Sequence, residues 1–224
     1  VRLYAAAPLI LSGGEVIGTV CAFSDQSQEL TRLQLERLRD IADQAVLVLQ
    51  LRDDAARLSH AATRDHLTGL PNRALFSETL TMALAKYQRG ATTPTVIFLD
   101  LDRFKPVNDT YGHAVGDELL RAVAHRLLES VRATDLVARM SGDELVILTE
   151  TPDGADPGVE TLLARLRQAF ATPFELSCGE LLVGCSMGYA TAETGDTAAE
   201  LMARADAAMY QAKQAKHPTD PTAR

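Results

Sequence analysis

Residues 95–102 read TVIFLDLD and residues 136–145 read LVARMSGDEL. The first stretch is a continuous apolar run, rich in β-branched residues, that ends in acid, and this pattern indicates a buried strand. The second contains two short apolar runs around residues 141–144, which is typical of a tight hairpin. With the helical patterns between these strands, the order βαββαβ predicts an α+β fold: a ferredoxin-like split arrangement with a central antiparallel sheet.

The remaining elements of this fold surround the two stretches. A helix-breaking segment, TGLP at residues 68–71, precedes the first helix. Segment 103–113 is expected to be a loop, and the C-terminal HPTDPTAR is expected to fray. Helices are predicted over 74–89, 115–131, 159–170 and 198–216, and further strands over 174–177 and 180–191.

A β-hairpin is predicted before this core. Apolar runs over residues 3–11 and 16–23 flank the turn sequence SGGE. Because two strands alone are not stable, we expect the hairpin to belong to a sheet whose other strands lie upstream. The chain begins VRLY, with neither Met nor a signal-peptide pattern, so we expect it to be a piece of a longer protein.

A long helix is predicted after the hairpin, with Thr31 as its N-cap. Its apolar residues recur at alternating steps of three and four, at Leu38, Ile41, Ala45 and Val48. This spacing is typical of a coiled coil, and the polar stretch 52–64 predicts a helical linker that continues it. The alternative is a helix packed on its own sheet. Both can hold, if the first half packs and the second half pairs with another copy.

Composition excludes several classes of protein. The chain has 224 residues, 46% of them hydrophobic, and a net charge of −8. No apolar run approaches the roughly 20 residues needed to span a bilayer, so no membrane segment is predicted. The acidic balance argues against a broad grip on nucleic acid. Three cysteines without a CxxC pair indicate thiols in a reducing cytoplasm.

Two acidic clusters lie at the ends of predicted strands. Asp100 and Asp102 end the first strand, while Asp143 and Glu144 lie in the hairpin turn. Because these strands are neighbours in the split fold, the carboxylates are expected to converge. Oxygen ligands without His or Cys suit Mg²⁺ bound together with substrate phosphates. The alternative is that the acids only cap strands and fill turns.

The segment after Asp102 carries groups suited to a nucleotide. Lys105, directly after the acidic strand, supplies a cation for a polyphosphate. Asn108 offers both a donor and an acceptor to a base edge. Asp117 suits either the start of the next helix or the paired donors of guanine.

Four separated motifs occur in the order and spacing of a known family. They are DHLTGLPNR at 65–73, LDLDRFKPVNDTYGHAVGDELL at 99–120, RATDLVARMSGDEL at 132–145 and ADAAMYQAK at 205–213. Over residues 61–216 the chain resembles the GGDEF domain of diguanylate cyclases, a palm-like ferredoxin-type fold. Residues 2–23 and 24–42 resemble, over a shorter stretch, the C-terminal end of a GAF sensor domain.

The resemblance implies an enzyme that joins two GTP molecules into cyclic di-GMP and releases pyrophosphate. Each subunit of a homodimer would hold one GTP, with two Mg²⁺ (or Mn²⁺) ions per active site. The implied metal ligands are Asp100, Asp143 and the carbonyl of Leu101. Glu144 would assist activation of the 3′-hydroxyl.

The resemblance also implies groups for the nucleotide and for the product. Guanine would be recognised by Asn108 and Asp117. Arg132 and Asp135 match the family's RxxD product-inhibition motif, although RxxD is also a common surface ion pair. The phosphate-binding groups would be Lys105, Lys213, Arg139 and the backbone N–H groups of Arg103 and Phe104.

The chain departs from the family pattern at three places. Ser141 replaces the first glycine of the signature, and Leu145 replaces its phenylalanine. Neither change removes an acid, so catalysis is still expected. After Lys213 the family usually continues with Gly-Arg-Asn, whereas this chain has QAKHP at 214–218, so the end of the fold is expected to differ.

We therefore expect four segments: residues 1–50 from a GAF-like sensor domain, a helical linker over 51–64, a diguanylate cyclase domain over 65–217 and a tail over 218–224. Two other functions are open at this point. One is a non-catalytic regulatory domain that binds GTP or cyclic di-GMP, and the other is a structural dimerisation module.

Overall fold

The computed structural model describes residues 1–27, 29–152 and 158–216, and it describes all of their side chains except those of residues 55–61. The predicted fraying of HPTDPTAR therefore falls outside the described residues. The chain divides into two compact units, Val1–His60 and Ala61–Arg224. No described helix is both long enough and apolar enough to cross a membrane.

The first unit contains the predicted hairpin and most of the long helix. Strands β1 (Leu3–Ile10) and β2 (Val16–Ser24) pair antiparallel, and helix α1 runs over Arg32–Thr63. Thr31 caps α1 as predicted: the backbone N–H of Gln34 donates to the Thr31 hydroxyl at 3.3 Å, and the backbone N–H of Thr31 donates to Oε1 of Gln34 at 2.8 Å.

The apolar positions of α1 fall on two faces. Ala42 and Val46 are buried, which agrees with the alternative that the helix packs within its own unit. Ile41 and Val48, two members of the predicted coiled-coil face, are more than half exposed at 53% and 56%. Burial of one face thus leaves part of the coiled-coil face uncovered.

The second unit is the predicted α+β core. Its elements are α2 (Arg73–Tyr87), β3 (Thr92–Leu101), α3 (Phe104–Tyr111), α4 (His113–Ser130), β4 (Leu136–Ser141), β5 (Glu144–Pro152), α5 (Val159–Phe170), β6 (Phe174–Leu176), β7 (Gly179–Leu181), β8 (Cys185–Thr191) and α6 (Ala198–Lys216). The main sheet has the order β4-β5-β3-β8, and all its pairs are antiparallel. This is the strand order of the ferredoxin-like fold, so the predicted fold class is confirmed.

Strand β3 is buried on both faces, which explains its unbroken apolar run. Ile97 and Leu99 pack in one core layer with α4 and α5, whereas Val96 and Phe98 pack in the other with α2 and α6. Leu145, at the family's phenylalanine position, is fully buried in the first layer. An apolar side chain is therefore retained where the core requires one.

Two predicted elements differ from the structure. The segment expected to be a loop contains helix α3, and Pro106 is compatible with it because it lies in the first turn. The strand expected over 180–191 is divided into β7 and β8, and β7 pairs with β6 in a separate small sheet. The division lies beside Gly184, where a Cβ would come 2.6 Å from Oδ2 of Asp102. This close contact with the Asp102 carboxylate lies where the regular pairing of β8 with β3 ends, at Cys185.

Candidate active site

The acidic clusters meet at one end of the main sheet. Asp100 on β3 lies directly opposite Glu144 on β5, and Asp143 is in the adjoining turn. A cavity of about 760 Å³ opens at this point. It is lined by Asp100, Leu101, Arg103, Phe104, Lys105, Pro106, Asp109, Asp143, Glu144, Asp206, Met209, Tyr210 and Lys213. The fold thus brings together the predicted acids and most of the predicted phosphate groups.

Lys213 reaches into the acidic end of this cavity from α6. Its Nζ donates to Oδ1 of Asp100 at 2.8 Å, and the Asp100 side chain is 10% exposed. Burial raises the pKa of Asp100 despite this hydrogen bond. Burial and the negative charge of Asp100 likewise raise the pKa of Asp143. One lysine therefore does not fully compensate two desolvated carboxylates, and the site favours additional positive charge.

The donor set fits a divalent cation of the Mg²⁺ type. Asp100, Asp143 and Glu144 offer hard oxygen atoms. Among the described residues that line the cavity there is no thiol or imidazole, and the sulfur of Met209 is a thioether. Within the described residues, no three His, Cys, Asp or Glu side chains form a ready-made metal cage. Mg²⁺ is usually held in proteins by one or two carboxylates together with substrate phosphates.

The start of α3 forms the opposite wall of the cavity. Arg103 is the N-cap and has a left-handed backbone with φ of 59°. No described side chain accepts a hydrogen bond from the first backbone N–H groups of this helix, so these groups suit an anion. Lys105 is exposed on the same wall.

Asn108 and Asp117 are not among the residues that line this cavity. Both are half-buried, Asn108 on α3 and Asp117 on α4. Gly116 makes room for Asn108, because a Cβ there would lie 1.9 Å from the Asn108 Oδ1. The structure therefore places Asn108 against α4 at Gly116, the residue that precedes Asp117 in the chain.

Arg139 does not line the cavity that holds Asp100, Asp143 and Glu144, and its guanidinium is already engaged. Its Nη1 donates to Asp65 at 2.9 and 3.1 Å, and its Nε donates to the carbonyl of Gly142 at 2.9 Å. Hydrogen bonds from Thr68 and Arg139 outweigh burial and lower the pKa of Asp65. Arg139 lines a separate cavity of about 560 Å³. It ties the 65–73 motif to the signature turn and does not reach the cavity where phosphates were expected.

Arg132 and Asp135 line a third cavity, of about 120 Å³. The Asp135 carboxylate accepts the backbone N–H of Arg132 at 2.8 Å, and among the described residues the Arg132 guanidinium forms no ion pair. Arg165, from α5, lines the same cavity and was not singled out by the sequence motifs.

The sequence analysis did not single out three residues of the cavity that holds Asp100 and Asp143. Asp206, Met209 and Tyr210 line this cavity from α6, together with Lys213. Their spacing of three, four and seven residues places them on one helix face, and this periodicity is the signal that could have found them. Asp102, by contrast, is turned away from the cavity and accepts hydrogen bonds from Ser186 and Lys216.

Ser141 touches the acidic centre directly. Its hydroxyl donates to Oε2 of Glu144 at 2.6 Å. The serine that replaces the first signature glycine therefore adds a hydrogen bond to Glu144, whereas a glycine leaves this oxygen without that donor.

Comparison with known proteins identifies a family for each of the two units. A chain region over residues 1–49 matches the model of the GAF domain. MucR of Pseudomonas aeruginosa, described as a bifunctional diguanylate cyclase/cyclic di-GMP phosphodiesterase, is 42% identical over 170 residues, which are 75% of this chain and 24% of MucR. Diguanylate cyclase DgcP of Escherichia coli is 31% identical over 98% of this chain and 66% of its own length. The chain thus spans less than two thirds of either relative.

Solved structures share the fold. The coiled coil and GGDEF domain of DgcB from Caulobacter crescentus, solved in complex with c-di-GMP, has a TM-score of 0.72 and 32% identity, over 79% of this chain and 93% of that one. Residues 62–219, more than half of the chain, match the family model described as "Diguanylate cyclase, GGDEF domain". The chain therefore belongs to the GGDEF domain family of diguanylate cyclases.

Proposed function

We propose that this chain is a diguanylate cyclase output domain, which condenses two GTP molecules into cyclic di-GMP and two pyrophosphates. The observation that carries the proposal is the single cavity in which Asp100, Asp143 and Glu144 face Lys105 and Lys213. Carboxylates beside lysines suit a nucleoside triphosphate with its metal ions. The names of MucR and DgcP describe the same activity.

In this proposal Asp100 and Asp143, with the carbonyl of Leu101, would hold two Mg²⁺ or Mn²⁺ ions. Bound metal supplies neutralisation of phosphate charge and a lower pKa for the attacking hydroxyl. Glu144 receives the proton of the 3′-hydroxyl. Phosphate oxygens accept hydrogen bonds from the exposed Lys105, the half-buried Lys213 and the first N–H groups of α3.

The reaction needs two copies of the domain. Each 3′-hydroxyl attacks the α-phosphate of the other GTP, so that a new phosphodiester bond forms and pyrophosphate leaves. A homodimer brings the two loaded cavities together, and the exposed Ile41 and Val48 of α1 offer apolar surface for pairing.

Residues 1–50 would then be the end of a GAF-like sensor, 51–64 a helical linker, 65–217 the catalytic domain and 218–224 a tail. The protein would act in a reducing cytoplasm, which keeps the cysteines free.

Product analysis tests this function directly. The 224-residue chain is incubated with GTP and Mg²⁺, and products are identified by mass spectrometry over a dilution series of the protein. Cyclic di-GMP and pyrophosphate are expected, and the rate per molecule is expected to fall on dilution. Intact GTP at all protein concentrations would leave only a binding or structural role.

Guanine recognition by Asn108 and Asp117 gives a prediction at Gly116. In Gly116→Ala the new Cβ would overlap Oδ1 of Asn108, which lies 1.9 Å away, so the amide must move. We expect KM for GTP to rise about tenfold, because the displaced Asn108 amide would no longer pair with the guanine edge. Alanine also stabilises a helix by about 1 kcal/mol relative to glycine, so unfolding of α4 is not the expected cause of a rise in KM.

The measurement is KM for GTP beside a thermal melt of each protein, with ATP as the competing nucleotide. A wild type that binds ATP and GTP equally would contradict guanine recognition. An unchanged KM in Gly116→Ala would remove Asn108 from the site.

Product inhibition by the Arg132 cavity gives a separate prediction. The unpaired guanidinium beside Asp135 suits a guanine edge or a phosphate. In Arg132→Ala we expect progress curves that stay linear while the wild type slows as cyclic di-GMP accumulates. Arg167→Ala, an exposed arginine on α5 that does not line this cavity, is the control and should slow like the wild type. Equal curvature in all three proteins would assign Arg132 to the solvated surface.

A further inference from the structure

Among the residues that the structure describes, the last turns of α6 have no buried apolar side chain. The buried residues of this helix are Leu201, Ala205 and Met209, and none follows Met209 among its described residues. At Met209 the helix backbone rests directly on Gly188 of β8, where a Cβ would lie 1.9 Å from the Met209 nitrogen. Beyond this contact point, the end of the helix must be held by polar interactions or fray.

Two lysines provide those interactions, one turn apart. Lys213 pairs with Asp100 inside the cavity. Lys216 donates to Oδ2 of Asp102 at 3.2 Å and to the backbone carbonyl of Cys185 at 2.6 Å. The end of α6 is thus tied both to the end of β3 and to the start of β8.

The Asp102 carboxylate is itself held in place. Its Oδ1 accepts the hydroxyl of Ser186 at 2.5 Å, and Ser186 is fully buried. The backbone N–H of Asp102 donates to the carbonyl of Gly184 at 2.9 Å. Lys216 therefore binds a carboxylate whose position is set by the sheet. Although Lys216 is exposed, this contact fixes the end of α6 at a defined point.

Neither Lys216 nor Asp102 lines the cavity, whereas Lys213 and Asp100 do. A cation that binds Asp100, or a nucleotide phosphate that binds Lys213, would compete with the ion pair between these two residues. The partners of Lys216, Asp102 and the carbonyl of Cys185, do not line the cavity, so such a ligand would leave these contacts in place to hold the last turn of α6.

We propose that Lys216, with Asp102 and Ser186, is a positioning element that keeps Lys213 directed at the phosphates of a nucleoside triphosphate while Lys213 exchanges Asp100 for the nucleotide. The substrate class rests on the proposed function, but the anchor itself does not. Lys216 acts through Lys213 and touches neither the substrate nor the metal ligands.

Hydrogen exchange of the full chain without nucleotide tests the anchor. Lys216→Met removes the ammonium and keeps an apolar stem. Backbone amides over 210–216 are expected to exchange about tenfold faster, and those of β3 and β5 to stay unchanged. The matched control is Lys86→Met, since Lys86 pairs with Glu150 in the last turn of α2 and is 47% exposed, like Lys216. Unchanged exchange over 210–216 in Lys216→Met would overturn the proposal.

Kinetics and binding test the action through Lys213. In Lys216→Met we expect KM for GTP to rise about fivefold, with a smaller effect on kcat. In Lys216→Arg we expect a KM close to that of the wild type, because the cation is retained. In a Lys213→Met background the additional effect of Lys216→Met should vanish, because coupled residues are not additive. If Lys216→Met raises KM by the same factor in the Lys213→Met background, its role is merely structural. The same conclusion follows if Lys86→Met raises KM as much as Lys216→Met does.

The two proposals fail in different ways. If the wild type makes no cyclic di-GMP, the proposed function fails, and the affinity of each variant for GTP with Mg²⁺, measured by calorimetry, replaces KM in the same cycle. If the wild type is active but Lys216→Met matches it in KM and in hydrogen exchange, the anchor fails alone.

Discussion

Replacing Asp143 with asparagine is expected to reduce GTP turnover by about a thousandfold or more, at saturating GTP and Mg²⁺. The physical reason is that an amide oxygen does not supply the anionic ligand that a hard divalent cation prefers. Asp143 is half-buried and lines the same cavity as Asp100 and Glu144, so the substitution removes one of three carboxylates from the proposed metal site. The measurement is the rate of pyrophosphate release in both proteins.

The same substitution is expected to have the opposite effect on stability. Burial and the charge of Asp100 raise the pKa of Asp143, so the ionised form is less favourable in the folded state than in the unfolded state. At neutral pH Asp143→Asn should therefore melt above the wild type without metal. Because the wild-type carboxyl is neutral in both states at low pH, the difference should disappear as pH falls below about 3.9.

These two measurements separate the metal role from a folding defect. An inactive variant that melts at a lower temperature would mean that Asp143 is needed for the fold. Near-native activity at ordinary Mg²⁺ concentration would contradict the metal assignment.

Replacing Gly188 with alanine is expected to destabilise the second unit by about 3 kcal/mol or more. The ideal Cβ would lie 1.9 Å from the backbone nitrogen of Met209 and 2.3 Å from the carbonyl carbon of Ala208. These are backbone atoms of α6, so no side-chain rotation relieves the overlap. The helix must move off β8, and with it Lys213, so activity should fall together with stability.

Urea unfolding measures the change in the free energy of unfolding. Gly13→Ala, in the first unit, is a control for the glycine-to-alanine change itself, since a Cβ there meets nothing within 4 Å and its φ is not positive. It should change the stability by less than about 0.5 kcal/mol. If Gly188→Ala unfolded at the same urea concentration as Gly13→Ala, close contact between α6 and β8 would be contradicted.

Much of the catalytic arrangement was predictable because it depends on local pattern. The apolar run ending in Asp100 and the tight turn holding Asp143 and Glu144 are local features, and the βαββαβ order makes their strands neighbours. The cross-strand pairing of Asp100 with Glu144 follows from this order. Helix α3 was missed, because an eight-residue helix with a proline and several polar residues carries little periodic signal.

Long-range partners were not predictable. Arg139 was expected beside the phosphates, but its partner Asp65 lies 74 positions away in the chain, and no local pattern specifies that pairing. Asp102 was grouped with Asp100 by its spacing. The regular strand ends at Leu101, however, so Asp102 faces Ser186 and Lys216.

The sequence by itself determined the family, the strand order and the acidic residues that the fold brings to one cavity, because strand period, turn chemistry and motif spacing are properties of short segments. The tertiary structure alone decided which charges meet: Lys213 with Asp100, Lys216 with Asp102, and Arg139 with Asp65. Charged side chains pair with whatever the packing of distant helices and strands brings within about 3 Å, and that distance is set only when the whole core is assembled.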